Sequence, residues 1–238
     1  MHRFALVAAL ALLPAAPALA AERIVTVTNY DRIRMDGPYR VEIVTGRGAS
    51  ARVSGDRAAI DRIEIAVQGS TLFIHANRTA WQGGWPGGDK DRSVGPVLIR
   101  LTAEELRAIA IVGSGSMAID ALRGPRMTLT IEGSGRMTVG AVEIDRLDLG
   151  LTGSAALALK GKAKALAATV RGSASIDGAG LVAGDLSLTS ESAGNVVLGA
   201  KGTAKVISTG AGEIAITGAP ACTVNALGSG PVRCGDGG

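Results

Sequence analysis

Aromatic side chains are scarce in this chain. Its 238 residues include two Trp, two Tyr and two Phe, which make up 3% of the total. The apolar fraction of 47% comes mainly from Ala, Val, Leu and Ile, and 34 residues are glycine. Since bulky rings fill the centre of most large cores, their scarcity argues against a wide core and favours thin coils with a narrow interior.

Histidine and clustered charge are also lacking. The chain has two histidines, of which only His75 follows the first 20 residues. A nucleophilic serine needs a positioned base, so a serine hydrolase is disfavoured. The 25 Lys and Arg residues are scattered, whereas a nucleic-acid surface needs them clustered. Asp89 and Asp91 lack the glycine and glutamate of a calcium-binding EF-hand, so we expect no cofactor, no metal ion and no nucleic-acid partner.

A long hydrophobic run occurs only at the N-terminus. Met1-His2-Arg3 is a short basic start, Phe4–Leu13 is apolar, and Ala18-Leu19-Ala20 has the small-x-small pattern of a cleavage site. Residues 1–20 are therefore interpreted as a secretory signal peptide. The apolar run is too short for a membrane span, which needs about 20 residues. We expect a bacterial protein exported to the periplasm, the cell surface or the medium, without a membrane span.

Cysteine is limited to Cys222 and Cys234, twelve residues apart near the C-terminus. In an oxidising compartment such a pair predicts one structural disulfide. The alternative, a redox-active or metal-binding pair, usually has a tighter spacing or further ligands. The predicted disulfide would fasten the last part of the fold.

A Gly-Ser-Gly-like corner, in contrast, returns every 18–20 residues through the second half of the chain. The corners begin at Gly113, Gly133, Gly153, Gly172, Ser190, Gly210 and Gly228. A fixed period of this size is typical of a stack of equivalent units, none of which buries its apolar face alone.

Each unit has the pattern of two strands and two bends. In residues 126–145, Met127, Leu129 and Ile131 alternate with polar residues, which is the two-residue period of a half-buried strand. The corner interrupts this alternation, and Met137 and Val139 resume it. The sequence therefore predicts an all-β fold, a right-handed parallel β-helix of about seven coils of 18–20 residues over residues 106–238.

The corner residues are predicted to be structural. Glycine suits the bends because it tolerates positive φ and close approach of neighbouring coils, and the serine hydroxyls can bond nearby backbone. A catalytic serine array is the disfavoured alternative, since no base is available. The structural corner residues are Gly113, Ser114, Gly115, Gly133, Ser134, Gly135, Gly153, Ser154, Gly172 and Ser173.

The segment 21–105 is β-rich but irregular, and it is predicted to cap the solenoid. A short helical turn is expected between Asp56 and Ile63, with Ser54 or Asp56 as its N-cap. Residues 81–96 form an inserted loop of unusual composition. Exposed aromatics on a loop can bind a sugar or a protein, or the loop can fold back as a hydrophobic lid. The candidate binding residues are Trp81, Trp85, Asp89, Lys90, Asp91 and Arg92.

Three stretches together resemble a known family. The runs "YDRIRMDGPYRVEIVTG" and "VSGDRAAIDRIEIAVQGSTLFI" are followed by the corners "GSGSM" and "GSGRM". This order is similar to that of the putative auto-transporter adhesin, head GIN domain family, over about Ile24 to Cys234. The resemblance implies a right-handed β-helix, an exported location and a link to adhesion, and it brings no catalytic residues.

The leading functional hypothesis is a non-enzymatic, adhesin-like interaction or scaffold module at the bacterial cell envelope. Its partner would be an envelope glycan or protein, bound along one flat strand face where Thr, Ser and Arg side chains form ladders, and the oligomeric state stays open. The alternative is a polysaccharide-active lyase or hydrolase with paired carboxylates on the rod, either Asp145 with Asp148 or Asp177 with Asp185. Two carboxylates about 5–9 Å apart in a groove would favour the enzyme. A third possibility is a stable envelope protein with no discrete ligand.

Overall fold

A computed structural model describes residues 21–77 and 97–235. Within these residues the chain forms sixteen strands and one short helix. In chain order they are β1 (Ala21–Val25), β2 (Arg32–Asp36), β3 (Arg40–Thr45), β4 (Ser50–Gly55), α1 (Arg57–Asp61), β5 (Ile63–Gln68), β6 (Thr71–Ala76), β7 (Leu98–Ala103), β8 (Ala108–Gly113), β9 (Ser116–Gly133), β10 (Arg136–Gly153), β11 (Ala156–Gly172), β12 (Ser175–Ser192), β13 (Val196–Ser208), β14 (Ile214–Thr217), β15 (Ala221–Ala226) and β16 (Val232–Cys234).

The second half of the chain is a stack of parallel strands. β8 pairs with β9, and β9 to β13 pair in chain order, all in parallel. β13 then pairs with both β14 and β15, and β14 pairs with β16. The prediction of an all-β parallel solenoid is confirmed. The corners delimit about six turns, close to the seven coils that were predicted.

The strands are longer than the predicted pairs of short strands. β9, β10 and β12 each have 18 residues and continue from one corner to the next. The second bend of each unit lies inside the strand and is marked by shifts in the pairing register, between Val139 and Val142 and between Ala158 and Lys160. Because hydrogen bonding between layers resumes directly after the bend, the strand continues through it.

Each corner is held by its backbone. The N–H groups of Ser134 and Ser154 donate to the carbonyl oxygens of Gly113 and Gly133 at 3.0 and 2.8 Å. The serine side chains are exposed. Gly133 has a φ of +114°, and a Cβ added there would lie 2.6 Å from the oxygen of Gly113. The corner therefore needs glycine both for its backbone conformation and for the close stacking of layers.

The predicted corner at Ser190 is wrong by two residues. Gly172 is in register with Ser192, and a Cβ on Gly210 would lie against the backbone of Ser192. Ser190 instead points into the core and is 2% exposed. The Ser-x-Ser sequence resembles the other corners at either serine, and only the pairing with the preceding layer distinguishes them.

The core is a narrow column of inward side chains. One continuous cluster of aliphatic residues runs from Ile33 to Ile216. At the C-terminal end of the stack, however, three serines are buried: Ser190, Ser192 and Ser208. Ser192 donates from Oγ to the carbonyl oxygen of Ala174 at 2.8 Å, and its Oγ also accepts from a backbone N–H. The Oγ of Ser208 has no hydrogen-bond partner among the described residues.

We expect Ser208→Ala to raise the free energy of unfolding by about 1 kcal/mol, because it removes a buried hydroxyl that makes no hydrogen bond. The matched control is Ser192→Ala, which removes a hydroxyl that is bonded and equally buried. That variant should lower the free energy of unfolding by about 1–2 kcal/mol. Urea denaturation followed by circular dichroism measures the free energy of unfolding of both variants. An equal decrease in the two variants would contradict the absence of a hydrogen bond at the Ser208 hydroxyl.

The first part of the chain lies at the other end of the stack. β2 and β3, from the segment predicted to cap the solenoid, pair in parallel with β8 and β9. Beyond them lie β6 and β7, which also pair in parallel with β2 and β3. β4, β1 and β5 then add antiparallel strands at this end. Helix α1 follows Asp56, whose side chain accepts from the N–H of Ala59 as the predicted N-cap.

A disulfide joins the last two strands. Cys222 of β15 and Cys234 of β16 are bonded, with their Cα atoms 6.3 Å apart. The prediction of one disulfide is confirmed. The bond ties together two strands that pair with different partners, β13 and β14.

Candidate functional site

The predicted loop residues lie outside the described residues. Trp81, Trp85, Asp89, Lys90, Asp91 and Arg92 all belong to segment 78–96, and the predicted signal peptide occupies residues 1–20. The described ends of the loop can be placed. β6 ends at Ala76 and β7 begins at Leu98, and these strands lie against β2 and β3, which are joined around Gly37. The two described ends that flank segment 78–96 thus lie near the column of corners.

One flat surface of the solenoid stands out among the described residues. We call it the front face, and it consists of the outward side chains of the segments that precede each corner. These segments are residues 32–36, 108–112, 126–132, 146–152, 165–171, 185–191 and 203–208. Because layers are stacked in register about 4.8 Å apart, equivalent side chains form columns along the rod.

The central column of the front face begins with Arg34 and ends with Ile207, and its five middle layers are small and uncharged. In register these layers contain Ala110, Thr130, Gly150, Thr169 and Thr189. All five are half-buried. Since small side chains leave the sheet low at this position, we infer that these five layers form the floor of a shallow groove between Arg34 and Ile207.

Charged side chains flank this floor on both sides. On one side, Arg146 lies 3.3 Å from Asp148, and both are exposed at their charged ends. On the other side, Arg171 lies 3.2 Å from Glu191. A depression of about 290 Å³ lies on this face beside Lys205. The arrangement offers hydrogen-bond donors and acceptors on either side of an uncharged floor.

A second surface carries a row of charged side chains, formed by the residues that follow the second bend of each unit. Glu143 lies 2.8 Å from Lys162 and 3.9 Å from Arg123, which stand in the layers on either side of it. The hydrogen bond and the charge of Lys162, with a smaller contribution from Arg123, lower the pKa of Glu143. Asp145 lies 2.7 Å from Lys164. These acids are matched by bases in neighbouring layers, as is usual on a solvated face.

The acids predicted for the enzyme alternative have separate partners. Asp145 is bound by Lys164, whereas Asp148 is bound by Arg146. Asp185 accepts from the N–H and the hydroxyl of Thr203 at 3.3 and 2.6 Å. Asp177 accepts from the N–H of Ala179 at 3.5 Å. Each of the four carboxylates thus takes part in an interaction of its own, and none of these contacts joins the two members of a predicted pair.

Residues 21–77 and 97–235 contain no group of three or more His, Cys, Asp or Glu residues able to hold a metal ion. The helix in this part of the chain has five residues, and no helix in it is long and apolar enough to cross a membrane.

The relationship of this chain to a known family follows from its match to a family model. The family described as "putative auto-transporter adhesin, head GIN domain" matches residues 29–220. The chain belongs to this family. The resemblance inferred from the sequence is therefore confirmed. No curated protein matches this head GIN domain chain.

Solved structures with the same fold support the architecture of this head GIN domain. A putative adhesin from Bacteroides fragilis NCTC 9343 is 20% identical, with a TM-score of 0.80 over 90% of this chain and 96% of that chain. A putative lipid binding protein from Parabacteroides distasonis ATCC 8503 is 22% identical, with a TM-score of 0.72 over 91% and 97% of the two chains. A putative adhesin from Parabacteroides merdae ATCC 43184 is 14% identical, with a TM-score of 0.66 over 91% and 96%. These identities show a shared fold.

The front face was foreseen only as a general possibility of a flat strand surface. The signal that identifies its central column lies in the sequence, since Thr130, Gly150, Thr169 and Thr189 each stand three residues before the corner that follows, at 133, 153, 172 and 192. When the corner is placed at Ser190, as the sequence alone predicts, Thr189 no longer stands three residues before a corner. The column therefore became visible only with the register of the strands.

Proposed function

We propose that this protein is an exported, non-enzymatic, adhesin-like module exposed at the bacterial cell surface, with the front face as its binding surface. The observation that carries the proposal is the run of small, uncharged residues in the middle layers of the central column, with the ion pairs Arg146–Asp148 and Arg171–Glu191 on either side of it. Membership of the adhesin family and a disulfide, which forms in oxidising compartments, support export. The partner is an extended envelope glycan, and an envelope protein is the other candidate.

An extended polymer suits this surface for physical reasons. The groove repeats similar groups about every 4.8 Å, so a chain of repeating units can lie along several layers at once. Each layer contributes little, but contacts that are linked through one polymer add up by raising the effective concentration. Arg146, Asp148, Arg171 and Glu191 have side chains suited to hydrogen bonds with sugar hydroxyls.

The proposal is tested by cosedimentation of the purified protein with isolated bacterial cell envelopes. Thr169→Arg places a long cationic side chain on the groove floor and is expected to weaken binding about tenfold. The matched control is Thr138→Arg, which makes the same change at an exposed threonine after the corner, on another face. Equal binding by both variants, with unchanged thermal stability, would exclude the front face.

The predicted loop residues enter the proposal as a second contact. Trp81 and Trp85 would add aromatic stacking on the sugar rings, so the double variant Trp81→Ala/Trp85→Ala is expected to weaken binding of the same envelopes about tenfold. If the double variant binds as the native protein does, the front face acts without the loop. The lid alternative predicts that result together with a lower melting temperature.

A further inference from the structure

Within residues 21–77 and 97–235, the last layer of the solenoid has an unpaired edge. β15 and β16 form the last layer, and among the described residues β15 pairs only with β13 and β16 only with β14. All six residues of β15 are exposed. Val224 is in register with the buried Val206 and therefore faces inward, but it is 42% exposed because no further layer covers it.

At every second residue of β15, the backbone N–H and C=O groups point toward this open edge. The N–H of Leu227 donates to the carbonyl oxygen of Ser208 at 2.7 Å, on the β13 side. Backbone groups of successive residues in a strand point to alternate edges. Thr223 and Asn225 therefore face β13, while the N–H and C=O groups of Val224 and Ala226 face outward.

The two ends of the stack differ in how their edges are protected. At the first end, β1 contains Glu22 and Arg23, and Glu22 lies 3.0 Å from Arg52. Charges on an edge strand discourage pairing with another chain. β15 has the sequence Ala-Cys-Thr-Val-Asn-Ala, without any charge. Exposed apolar side chains occur at both ends, Ile24 on β1 and Val224 and Leu227 here, so the ends differ in charge.

We propose that a second copy of this chain pairs with this edge, so that two β15 strands lie antiparallel across a twofold axis. In a twofold contact, residue i of one copy lies opposite residue j of the other copy and j lies opposite i, so an uncharged strand makes this contact without repulsion between like charges. An axis normal to the sheet leaves Val224 inside and Thr223 outside in both copies. The two cores then become continuous, and each copy covers the open layer of the other.

The disulfide fits this role because it holds β15 and β16 together in the terminal layer. A rigid edge loses less conformational entropy on pairing than a frayed one. The head GIN domain would then present two front faces on one longer rod, which increases the number of layers that one polymer can contact.

Sedimentation velocity of the full chain over a range of concentrations tests the proposal. We expect a monomer–dimer equilibrium, and Thr223→Lys should weaken the dimer about tenfold because it places two like charges on the outward face of the paired strands, close to the axis. Thr152→Lys, at an exposed outward threonine in the middle of the stack, should leave the dimer unchanged. A native protein that stays monomeric at its highest soluble concentration overturns the proposal, as does an equal effect of the two lysines.

Hydrogen exchange provides a second readout that does not depend on a variant. In the dimer, the amides of Val224 and Ala226 are hydrogen-bonded, so their exchange should slow as the protein concentration rises. The amide of Asn225, already directed toward β13, should show little change. Fast exchange of Val224 and Ala226 at every concentration, in a protein that does dimerise, would show that the contact lies elsewhere and would contradict the pairing.

Discussion

Replacing Gly153 by alanine is expected to lower the free energy of unfolding by about 3 kcal/mol. Gly153 has a φ of +97°, a conformation that costs any other residue about 1–2 kcal/mol. A Cβ at this position would also lie 2.5 Å from the carbonyl oxygen of Gly133, in the layer beneath. That oxygen accepts the N–H of Ser154, so the clash would disturb the bond that holds the corner.

Gly150 provides the matched control within the same strand. It lies three residues before the corner, and a Cβ there would meet Thr130 Oγ1 at 3.8 Å, an ordinary van der Waals contact. Gly150→Ala is expected to leave stability unchanged or raise it by about 0.5 kcal/mol, since alanine restricts the unfolded chain more than glycine does. Urea denaturation of both variants makes the comparison. Similar losses at Gly153 and Gly150 would show that the corner has no special requirement for glycine.

Removing the disulfide is the second large effect that we expect. The double variant Cys222→Ser/Cys234→Ser should lose about 3 kcal/mol, because the bond limits the freedom of the unfolded chain. In a solenoid each layer contacts only its neighbours, so the loss should be concentrated in the last layer. Hydrogen exchange should therefore speed up in β15 and β16 and change little in β9 and β10.

Reduction of the native protein is the control for this experiment. A reducing agent should produce the same loss in the native protein and have no effect on the double variant. If reduction changes neither the melting temperature nor the exchange of β15, the disulfide does not stabilise the terminal layer. A loss spread evenly over β9 to β16 would contradict the view that layers unfold locally.

The repeating part of the fold was readable from the sequence because stacking imposes the same demand on every layer. Gly133 and Gly153 each need positive φ and room for the layer beneath, so glycine returns at a fixed spacing. Alternation of inward and outward residues follows from the strand itself. The single disulfide was readable because Cys222 and Cys234 are the only cysteines.

The arrangement of the first part could not be read in this way. β2 and β3 lie between the layer of β6 and β7 and the layer of β8 and β9, so neighbours in space are far apart in the chain. Periodicity carries no information about such pairing. The position of Ser192 at a corner was hidden for a similar reason, since its role depends on register with Gly172 rather than on its local sequence.

The front face was only partly predictable. Outward positions could be assigned from alternation, but the groove depends on which outward residues share a column. The carboxylates show the same limit: Asp145 and Asp148 are close in sequence, yet each is bound by a different base, Lys164 and Arg146. Function on a solenoid is set by the columns that stacking creates, and these require the register of every layer.

Accessibility of the protein to a protease or an antibody on intact cells tests the proposed adhesin-like role most directly. Bacteria that express the protein are treated with a protease or with a specific antibody, and lysed cells serve as the control. The account predicts that the protein is digested or labelled on intact cells, because an adhesin-like module must reach partners outside the cell. Protection until the cells are lysed would contradict that role and place the protein inside the envelope.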